Sequence, residues 1–388
     1  MRKVLFFVTS LLAVTGCATK TSTCDLSTAS SNPSISLPPS FAFEPIPVIG
    51  DAQWQKAMRE YGDILAKHNV RQVFFVHGTF AGDDPFGISK IFKHLPDRLV
   101  TNSRNHIKKT TDKWTGDGGN YTEGYVIEFC TAVSNNLCSN DSRFTWSSGN
   151  THEDRLLGAI ELAKHIAKTI NAGKVRANET ILLLGHSHGG QLFALLTHFL
   201  EDGKMANQLY EFINIHYGPQ SESQLKTDID TIKSVNLDFV TFGTPVRYTW
   251  GRYEKFRLMP VINHRNNSEL SGVPTIRDGD YVQQWGVDGT DVLTPGKPPR
   301  EKELSKTLNS PGLDLLAALT SSKDNSRSLP KYEDCTVVHE NVLVNYGDNL
   351  PSPDPVVSQQ KLIGHAVYTT EQTMLFNVGL IVQSLYSP

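Results

Sequence analysis

The sequence predicts an α/β protein with a mostly parallel central sheet and helices on both faces. Apolar strand-like runs alternate with amphipathic helical segments from about residue 70 onward, which is the pattern of repeated β-α-β units. With 39% hydrophobic and 20% charged residues, the composition is that of a globular chain rather than a disordered one. The formal net charge of −3 gives no reason to expect nucleic acid as a partner.

The N-terminal segment precedes this pattern and has the form of an export signal. Arg2 and Lys3 are followed by an apolar run that is shorter than the roughly 20 residues needed to span a bilayer. The run ends in small residues directly before Cys17, which resembles the lipobox of bacterial lipoproteins. The resemblance implies a signal peptide over 1–16, lipidation of Cys17, and a membrane anchor. An ordinary signal peptide with a chance cysteine is the alternative.

Residues 17–45 are predicted to form the lipidated cysteine and a flexible tether, because Ser, Thr and Pro are frequent there and no apolar periodicity exists. Ala18, rather than Asp, follows the cysteine. By resemblance to Gram-negative sorting, this favours the outer membrane of the bacterial cell envelope, facing the periplasm. The folded domain is predicted to cover 46–388.

Within this domain the pattern predicts strands and helices in alternation. The predicted strands are 71–76, 124–129, 144–146, 180–184, 238–242, 281–285 and 341–345. The predicted helices are 88–99, 152–171, one starting near 190, and 370–386. Asn150 and Thr151 are candidates to cap the second of these helices. Two segments fit the alternation poorly, and we interpret 202–234 and 295–335 as insertions that either form a lid or lie on the surface.

Export predicts an oxidising compartment, in which disulfides form. Cys130 and Cys138 flank a short polar segment and are candidates to pair, with Cys24 and Cys335 as the remaining pair. Four cysteines allow three connectivities, and the sequence does not choose among them.

The segment Gly185-His186-Ser187-His188-Gly189 matches G-x-S-x-G directly after an apolar strand and directly before a helix. A serine at so sharp a turn needs a strained backbone, and glycines on each side avoid collisions. This resembles the nucleophile elbow of the α/β-hydrolase superfamily, in particular its lipase and esterase branch. The resemblance implies that Ser187 is a nucleophile and that the backbone N–H of His188 faces a developing oxyanion.

A second motif, His77-Gly78, ends a predicted strand upstream of the elbow. In lipase-like members of this superfamily the corresponding loop supplies the other oxyanion donor. The resemblance therefore implies that the N–H of Thr79 is this donor, with Phe80 as second choice, and that His77 itself is structural.

The order of the triad in this fold is serine, acid, histidine. His365 lies after the last predicted strand and is the expected base, with His339 and His264 as alternatives. Asp291, in a D-x-L-T-P segment that resembles the acid loop of these hydrolases, is the expected acid. The alternatives for the acid are Asp288, and after it Asp280 or Asp348.

The sequence thus predicts a serine hydrolase that cleaves carboxylic esters of a lipid-like or other small-molecule substrate through an acyl-enzyme. The same triad would also serve an acyltransferase or an amidase, and a non-catalytic envelope lipoprotein on this fold is a third hypothesis. No cofactor is expected, and no metal-ligand spacing or phosphate-binding loop is present in the sequence.

Overall fold

The computed structural model describes residues 40–42, 48–78, 120–133, 136–139, 141–245, 247–263, 280, 299–308, 342–346, 365 and 367–387. All of them belong to one unit, Leu37–Pro388. The predicted signal peptide, Cys17 and the greater part of the predicted tether lie outside the described residues.

Strands and helices alternate along the described chain as predicted. The strands are β1 (Ser40–Ala42), β2 (Val70–Val76), β3 (Arg143–Phe144), β4 (Thr180–His186), β5 (Asn236–Phe242), β6 (Phe256–Asn263) and β7 (Val342–Asn345). The helices are α1 (Ala52–Lys67), α2 (Glu123–Val133), α3 (His152–Asn171), α4 (His188–Glu201), α5 (Lys204–Tyr217), α6 (Pro219–Ile232), α7 (Pro299–Leu308) and α8 (Glu371–Tyr386), and a 3₁₀ turn covers Val367–Thr369.

The strands form one seven-stranded sheet in the order β1-β7-β6-β5-β4-β2-β3, and each described pairing is parallel. Val76 pairs with Gly185, and His186 pairs with Phe242, so β2, β4 and β5 end level with one another. The loops that follow these strands therefore meet at one edge of the sheet, where parallel α/β sheets place their sites.

The two faces of the sheet bury two separate apolar clusters, as alternation of side chains along a strand requires. Leu183 of β4 belongs to the cluster covered by α3 to α7, whereas Leu182 and Leu184 belong to the cluster covered by α1, α2 and α8. Because both faces are covered, the strands are nearly continuous apolar runs. The predicted α/β architecture, with a parallel sheet and helices on both faces, is confirmed.

The prediction of a strand over 124–129 is wrong, because this segment lies in helix α2. Its buried residues, Tyr125, Val126, Phe129, Ala132 and Val133, have helical spacing, and Ile127 is exposed between them. The Thr122 hydroxyl accepts the N–H of Tyr125 at 3.1 Å, which stabilises the first turn. The β-branched and aromatic residues of this segment favour a strand. The helical spacing of its buried residues and the Thr122 cap favour a helix, which is the structure that forms.

Strand β6 was not predicted from the sequence, and it lies at the centre of the sheet between β5 and β7. Pro260 interrupts its apolar pattern, and proline in a central strand is uncommon. The predicted strand 281–285 and the predicted helix 88–99 lie outside the described residues.

Helix α3 covers 152–171 as predicted, and the Thr151 hydroxyl caps it by accepting the N–H of Asp154 at 3.1 Å. The predicted insertion 202–234 contains helices α5 and α6, joined at Gly218. In the insertion 295–335 the structure describes only 299–308, which form helix α7. Glu301 of α7 accepts the backbone N–H groups of His152 and Glu153 at 2.8 and 3.0 Å, so α7 is attached to the start of α3.

Strand β1 lies inside the segment predicted as a tether and pairs with β7. The ordered domain therefore begins earlier than the predicted boundary at residue 46. Among the described helices, none is both long enough and apolar enough to cross a membrane.

A disulfide joins Cys130 of α2 to Cys138, as predicted for this pair. It closes the short connection that leads from α2 toward β3. Cys24 and Cys335 lie outside the described residues, so their pairing stays a prediction.

An ion pair with a buried carboxylate and a partly exposed guanidinium fixes the amino-terminal half of β5 to β6 and to the end of α8. Asp238 of β5 is 2% exposed, and its carboxylate accepts from Arg257 Nε and Nη2 at 2.7 and 2.6 Å. Tyr386 of α8 donates its hydroxyl to the same carboxylate. Arg257 Nη1 also donates to the carbonyl of Leu385. The pair therefore connects two strands and one helix.

We expect Asp238→Ala to lower the free energy of unfolding by about 3 kcal/mol, because it leaves the Arg257 guanidinium and the Tyr386 hydroxyl without their acceptor. Urea unfolding followed by circular dichroism measures this change. Glu60→Ala, which removes an exposed ion pair with Lys56, is the control and should change stability by less than about 1 kcal/mol. Equal effects of the two variants would contradict the role assigned to the buried pair.

Candidate active site

Ser187 lies at the turn between β4 and α4 in a backbone conformation that is unfavourable for a residue with a side chain. Its φ is 52° and its ψ is −127°. Its N–H donates to the carbonyl of Phe242 at 2.9 Å, and its carbonyl accepts the Thr244 hydroxyl at 2.8 Å. Contacts with β5 and the loop after it therefore hold the strained serine in place.

The glycines around the serine are required by their neighbours. A Cβ on Gly185 would lie 2.5 Å from the ring of Phe193 and 3.0 Å from the nitrogen of Gly190, so part of the collision is across the turn, as predicted. A Cβ on Gly189 would instead lie 2.4 Å from the carbonyl oxygen of Val76. The second glycine is thus needed because β2 passes close to the helix.

The His77-Gly78 loop lies directly against the elbow. A Cβ on Gly78 would lie 2.7 Å from Cβ of Ser187, so only glycine allows this approach. His77 is buried and stacks on Trp146, whose backbone N–H contacts His77 Nε2 at 3.2 Å and whose indole N–H donates to the His77 carbonyl at 2.9 Å. These contacts give His77 a structural role and fix the loop after β3 to the loop after β2. Thr79 and Phe80, the predicted oxyanion donors, lie outside the described residues.

His188 is the first residue of α4, and it is buried. The N–H groups of a first helical turn have no acceptor within the helix and carry its positive end. Ser187 therefore lies at a helix terminus that favours negative charge.

The ring of His365 contacts a carboxylate that belongs to Asp280. Nδ1 of His365 lies 2.8 Å from Oδ2 and 3.0 Å from Oδ1. The Asp280 side chain is fully buried, whereas that of His365 is 16% exposed. An ionised carboxylate only accepts, so Nδ1 is the donor in this contact, and in the neutral imidazole Nε2 then keeps its lone pair for another donor. This is the tautomer that a general base requires.

The backbone of His365 is fixed to the elbow by the residue before the serine. The carbonyl of His365 lies 2.9 Å from Nε2 of His186, across 179 residues of sequence. The two imidazole rings have centroids 4.6 Å apart. His186 therefore holds the loop that carries His365 beside the nucleophile turn.

No hydrogen bond joins the Oγ of Ser187 to the ring of His365, although the structure describes both residues. Contacts between a nucleophile and its base are often long before substrate binds and shorten in the complex. His365 therefore lies next to the turn that carries Ser187, but the hydrogen bond between the two side chains is not formed.

The acid expected from the sequence was Asp291, with Asp288 as the alternative, and both lie outside the described residues. Asp280, which the sequence offered as a further alternative, is described, and its carboxylate contacts Nδ1 of His365. We therefore replace Asp291 by Asp280 as the candidate acid. The alternative bases His264 and His339, and the alternative acid Asp348, also lie outside the described residues.

Asp280 is held from three sides. Its backbone N–H donates to the carbonyl of Asn263, the last residue of β6, at 3.0 Å. The Tyr368 hydroxyl donates to Oδ2 at 2.8 Å. A Cβ on Gly243 would lie 2.4 Å from Oδ2 and 2.5 Å from the Tyr368 ring, and Gly243 has a φ of 57°. Glycine at this position therefore makes room for the carboxylate.

A small cavity lies beside the first turn of α4 and below the loop after β5. Its lining includes Gln191, Thr244, Arg247, Tyr248 and Trp250. Arg247 contacts His152 at 3.1 Å, and its guanidinium lies over the Tyr248 ring. Two aromatic residues that follow β5, Tyr248 and Trp250, thus line this cavity, whereas Trp146 is buried against His77.

Among the described residues, no group of three or more His, Cys, Asp or Glu side chains has an arrangement that could hold a metal ion.

The chain matches no protein-family model, no curated protein and no solved structure.

We expect Gly243→Ala to destabilise the protein by about 2 kcal/mol more than Gly173→Ala does, because only the former adds a collision to backbone strain. Gly173 also has a positive φ, of 74°, but nothing lies within 4 Å of the place that an added methyl group would take. Thermal and urea unfolding of both variants measure the difference. Equal losses would show that Asp280 and Tyr368 do not occupy the space beside Gly243.

Proposed function

We propose that this chain is a serine hydrolase of the α/β-hydrolase type that cleaves carboxylic esters through an acyl-enzyme. The observation that carries the proposal is the buried Asp280–His365 pair, fixed by His186 to the strained Ser187 turn. Serine, acid and histidine follow in the chain order of this fold, and each lies after the carboxyl end of a strand.

In the first half-reaction, Ser187 Oγ attacks the carbonyl carbon of the ester while His365 Nε2 accepts its proton. Asp280 stabilises the imidazolium that forms, and it keeps the ring in the required orientation. The imidazolium then gives the proton to the leaving alkoxide, and the alcohol departs from acyl-Ser187. In the second half-reaction, His365 takes a proton from water, and the hydroxide attacks the acyl carbon. The bond between this carbon and Oγ of Ser187 then breaks while the imidazolium returns its proton to Oγ, and the acid is released.

The oxyanion of each tetrahedral intermediate would be held by two backbone N–H groups. His188 is the first residue of α4, so its N–H lies at the positive end of the helix, beside Ser187. Gly78 contacts Ser187 directly, which supports the adjacent Thr79 as the second donor.

We also infer an export location, with the chain anchored through lipidated Cys17 to the outer membrane and facing the periplasm. The resemblance of 1–17 to a lipoprotein signal is the basis of this proposal. The Cys130–Cys138 disulfide supports it, because disulfides persist in oxidising compartments.

Ser187→Ala is expected to lower kcat for an aryl ester by about 10⁵-fold, because no other nucleophile replaces Oγ. It should also abolish labelling by a fluorophosphonate probe while leaving the circular dichroism spectrum unchanged. Ser148→Ala is a matched control, since Ser148 is a second buried serine with a positive φ, of 54°. Retained labelling of Ser187→Ala would overturn the proposal. Labelling of the native protein without ester hydrolysis would point to acyl transfer or amide hydrolysis.

Asp280→Asn is expected to lower kcat by about 10⁴-fold, because the amide no longer holds the His365 tautomer. Asp291→Asn and Asp288→Asn are the matched controls and should retain the native rate. Steady-state hydrolysis of a series of aryl esters with increasing chain length measures the three variants together. A large loss in Asp291→Asn with none in Asp280→Asn would return the acid role to Asp291.

A further inference from the structure

The hydroxyl of Tyr368 lies at the centre of a buried hydrogen-bond chain that ends at the candidate base. It accepts the backbone N–H of Asn263 at 2.8 Å and donates to Oδ2 of Asp280 at 2.8 Å. Oδ2 is also the closer of the two oxygens to Nδ1 of His365. The chain therefore runs from the end of β6, through Tyr368 and Asp280, to His365.

Because the Asn263 N–H donates to the Tyr368 oxygen, the direction of the second bond is settled. The hydroxyl proton of Tyr368 is directed at the carboxylate. Burial raises the pKa of Tyr368 well above its usual value, and the charge of Asp280 raises it further. Tyr368 thus remains a donor at every pH at which the protein would work.

The location of Tyr368 links the acid to the base in a second way. It lies in the 3₁₀ turn Val367–Thr369, three residues after His365, so one short segment carries both the base and a donor to its acid. The ring is fully buried, with Tyr346 packed edge-on at 5.3 Å and Gly243 leaving room on the other side. The hydroxyl has little freedom to leave the carboxylate.

We propose that Tyr368 is a positioning residue of the proposed hydrolase, which fixes the Asp280 carboxylate in the orientation that accepts His365 Nδ1–H and reduces the charge that Asp280 presents to the imidazolium. This inference rests on the proposed function. Tyr368 touches no reacting atom, and its effect on the reaction passes through Asp280 and His365.

Removal of this hydroxyl has two consequences. A carboxylate with one donor fewer is free to rotate, which lowers kcat more than it changes KM. The carboxylate also keeps more negative charge, which stabilises the protonated form of its partner base. Among the residues that the structure describes, the other titratable groups that face this cluster are His186, against the rings of His365 and Tyr368, and Tyr346, against Tyr368. Both are unchanged by the substitution.

Tyr368→Phe is the first test. We expect kcat for an aryl ester to fall about five- to tenfold with KM nearly unchanged, as for the loss of one hydrogen bond. We also expect the acidic limb of the kcat/KM profile to move to higher pH by about half a pH unit. Stopped-flow or steady-state hydrolysis from about pH 4 to about pH 9 measures both.

Tyr386→Phe is the matched control, because it removes the same kind of bond, from a buried tyrosine to a buried aspartate, at the other end of α8. It should lower stability and leave the pH profile in place. A Tyr368→Phe profile that does not move, whether or not kcat falls, would show a merely structural role and overturn the inference.

Replacing Tyr368 by 3-fluorotyrosine covers the case in which the phenylalanine variant does not fold. The fluorinated hydroxyl is a stronger donor of similar size, so the acidic limb should move in the opposite direction, to lower pH. An unchanged or upward movement of the limb would again overturn the inference.

The Nδ1 proton of His365 provides a readout that does not depend on turnover. In ¹H NMR spectra its resonance should move downfield in Tyr368→Phe and upfield in the fluorotyrosine protein, and it should stay in place in Tyr386→Phe. If these shifts occur while Ser187→Ala retains activity, the positioning contact holds and the proposed function fails. If Ser187→Ala is inactive and the resonance is the same in all variants, the positioning role alone fails.

Discussion

The hydrogen bond between the buried carboxylate of Asp280 and Nδ1 of His365 is the interaction on which the candidate site depends. A carboxylate without solvent contact is costly unless donors surround it. Asp280 meets this requirement with the His365 ring, the Tyr368 hydroxyl and a backbone attachment to β6. The contacts that stabilise the buried charge of Asp280 therefore also orient the His365 base.

A second buried carboxylate, Asp238, is built from similar parts at the opposite end of β5. Tyr386 donates to Asp238 as Tyr368 donates to Asp280, and the two tyrosines flank α8 at its two ends. The difference lies in the third partner. Arg257 carries a permanent charge, so its pair with Asp238 cannot exchange a proton under ordinary conditions and only holds the fold together. An imidazole at the corresponding place beside Asp280 can gain and lose a proton, which makes that pair suitable for chemistry.

The sequence predicts those features that depend on a few neighbouring residues. The sharp turn at Ser187 and the cap of α3 each depend on local spacing, and the structure has both where the sequence indicated. The acid was different, because 85 residues separate Asp280 from His365 and the partner is chosen by the sheet. Strand β6, after which Asp280 lies, contains Pro260 and was not predicted, so Asp280 ranked only as a further alternative to Asp291 and Asp288. The β-branched and aromatic residues of α2 have a clear local preference for a strand. Burial of residues at helical spacing outweighs this preference, and the segment is a helix.

The parallel sheet explains why so few contacts suffice to assemble the site. Strands β2, β4, β5 and β6 are adjacent and in fixed register, so each loop that leaves them begins about 5 Å from the next, at the same edge of the sheet, before any side chain takes part. The strained backbone of Ser187 is held from the end of β5. Phe242 accepts the N–H of Ser187, and the Thr244 hydroxyl donates to the Ser187 carbonyl. Gly243, between these two residues, leaves the space that Asp280 and Tyr368 fill. The three-residue segment 242–244, at the end of β5, thus supports the nucleophile on one side and the acid on the other, which couples the geometry of the two groups through the backbone.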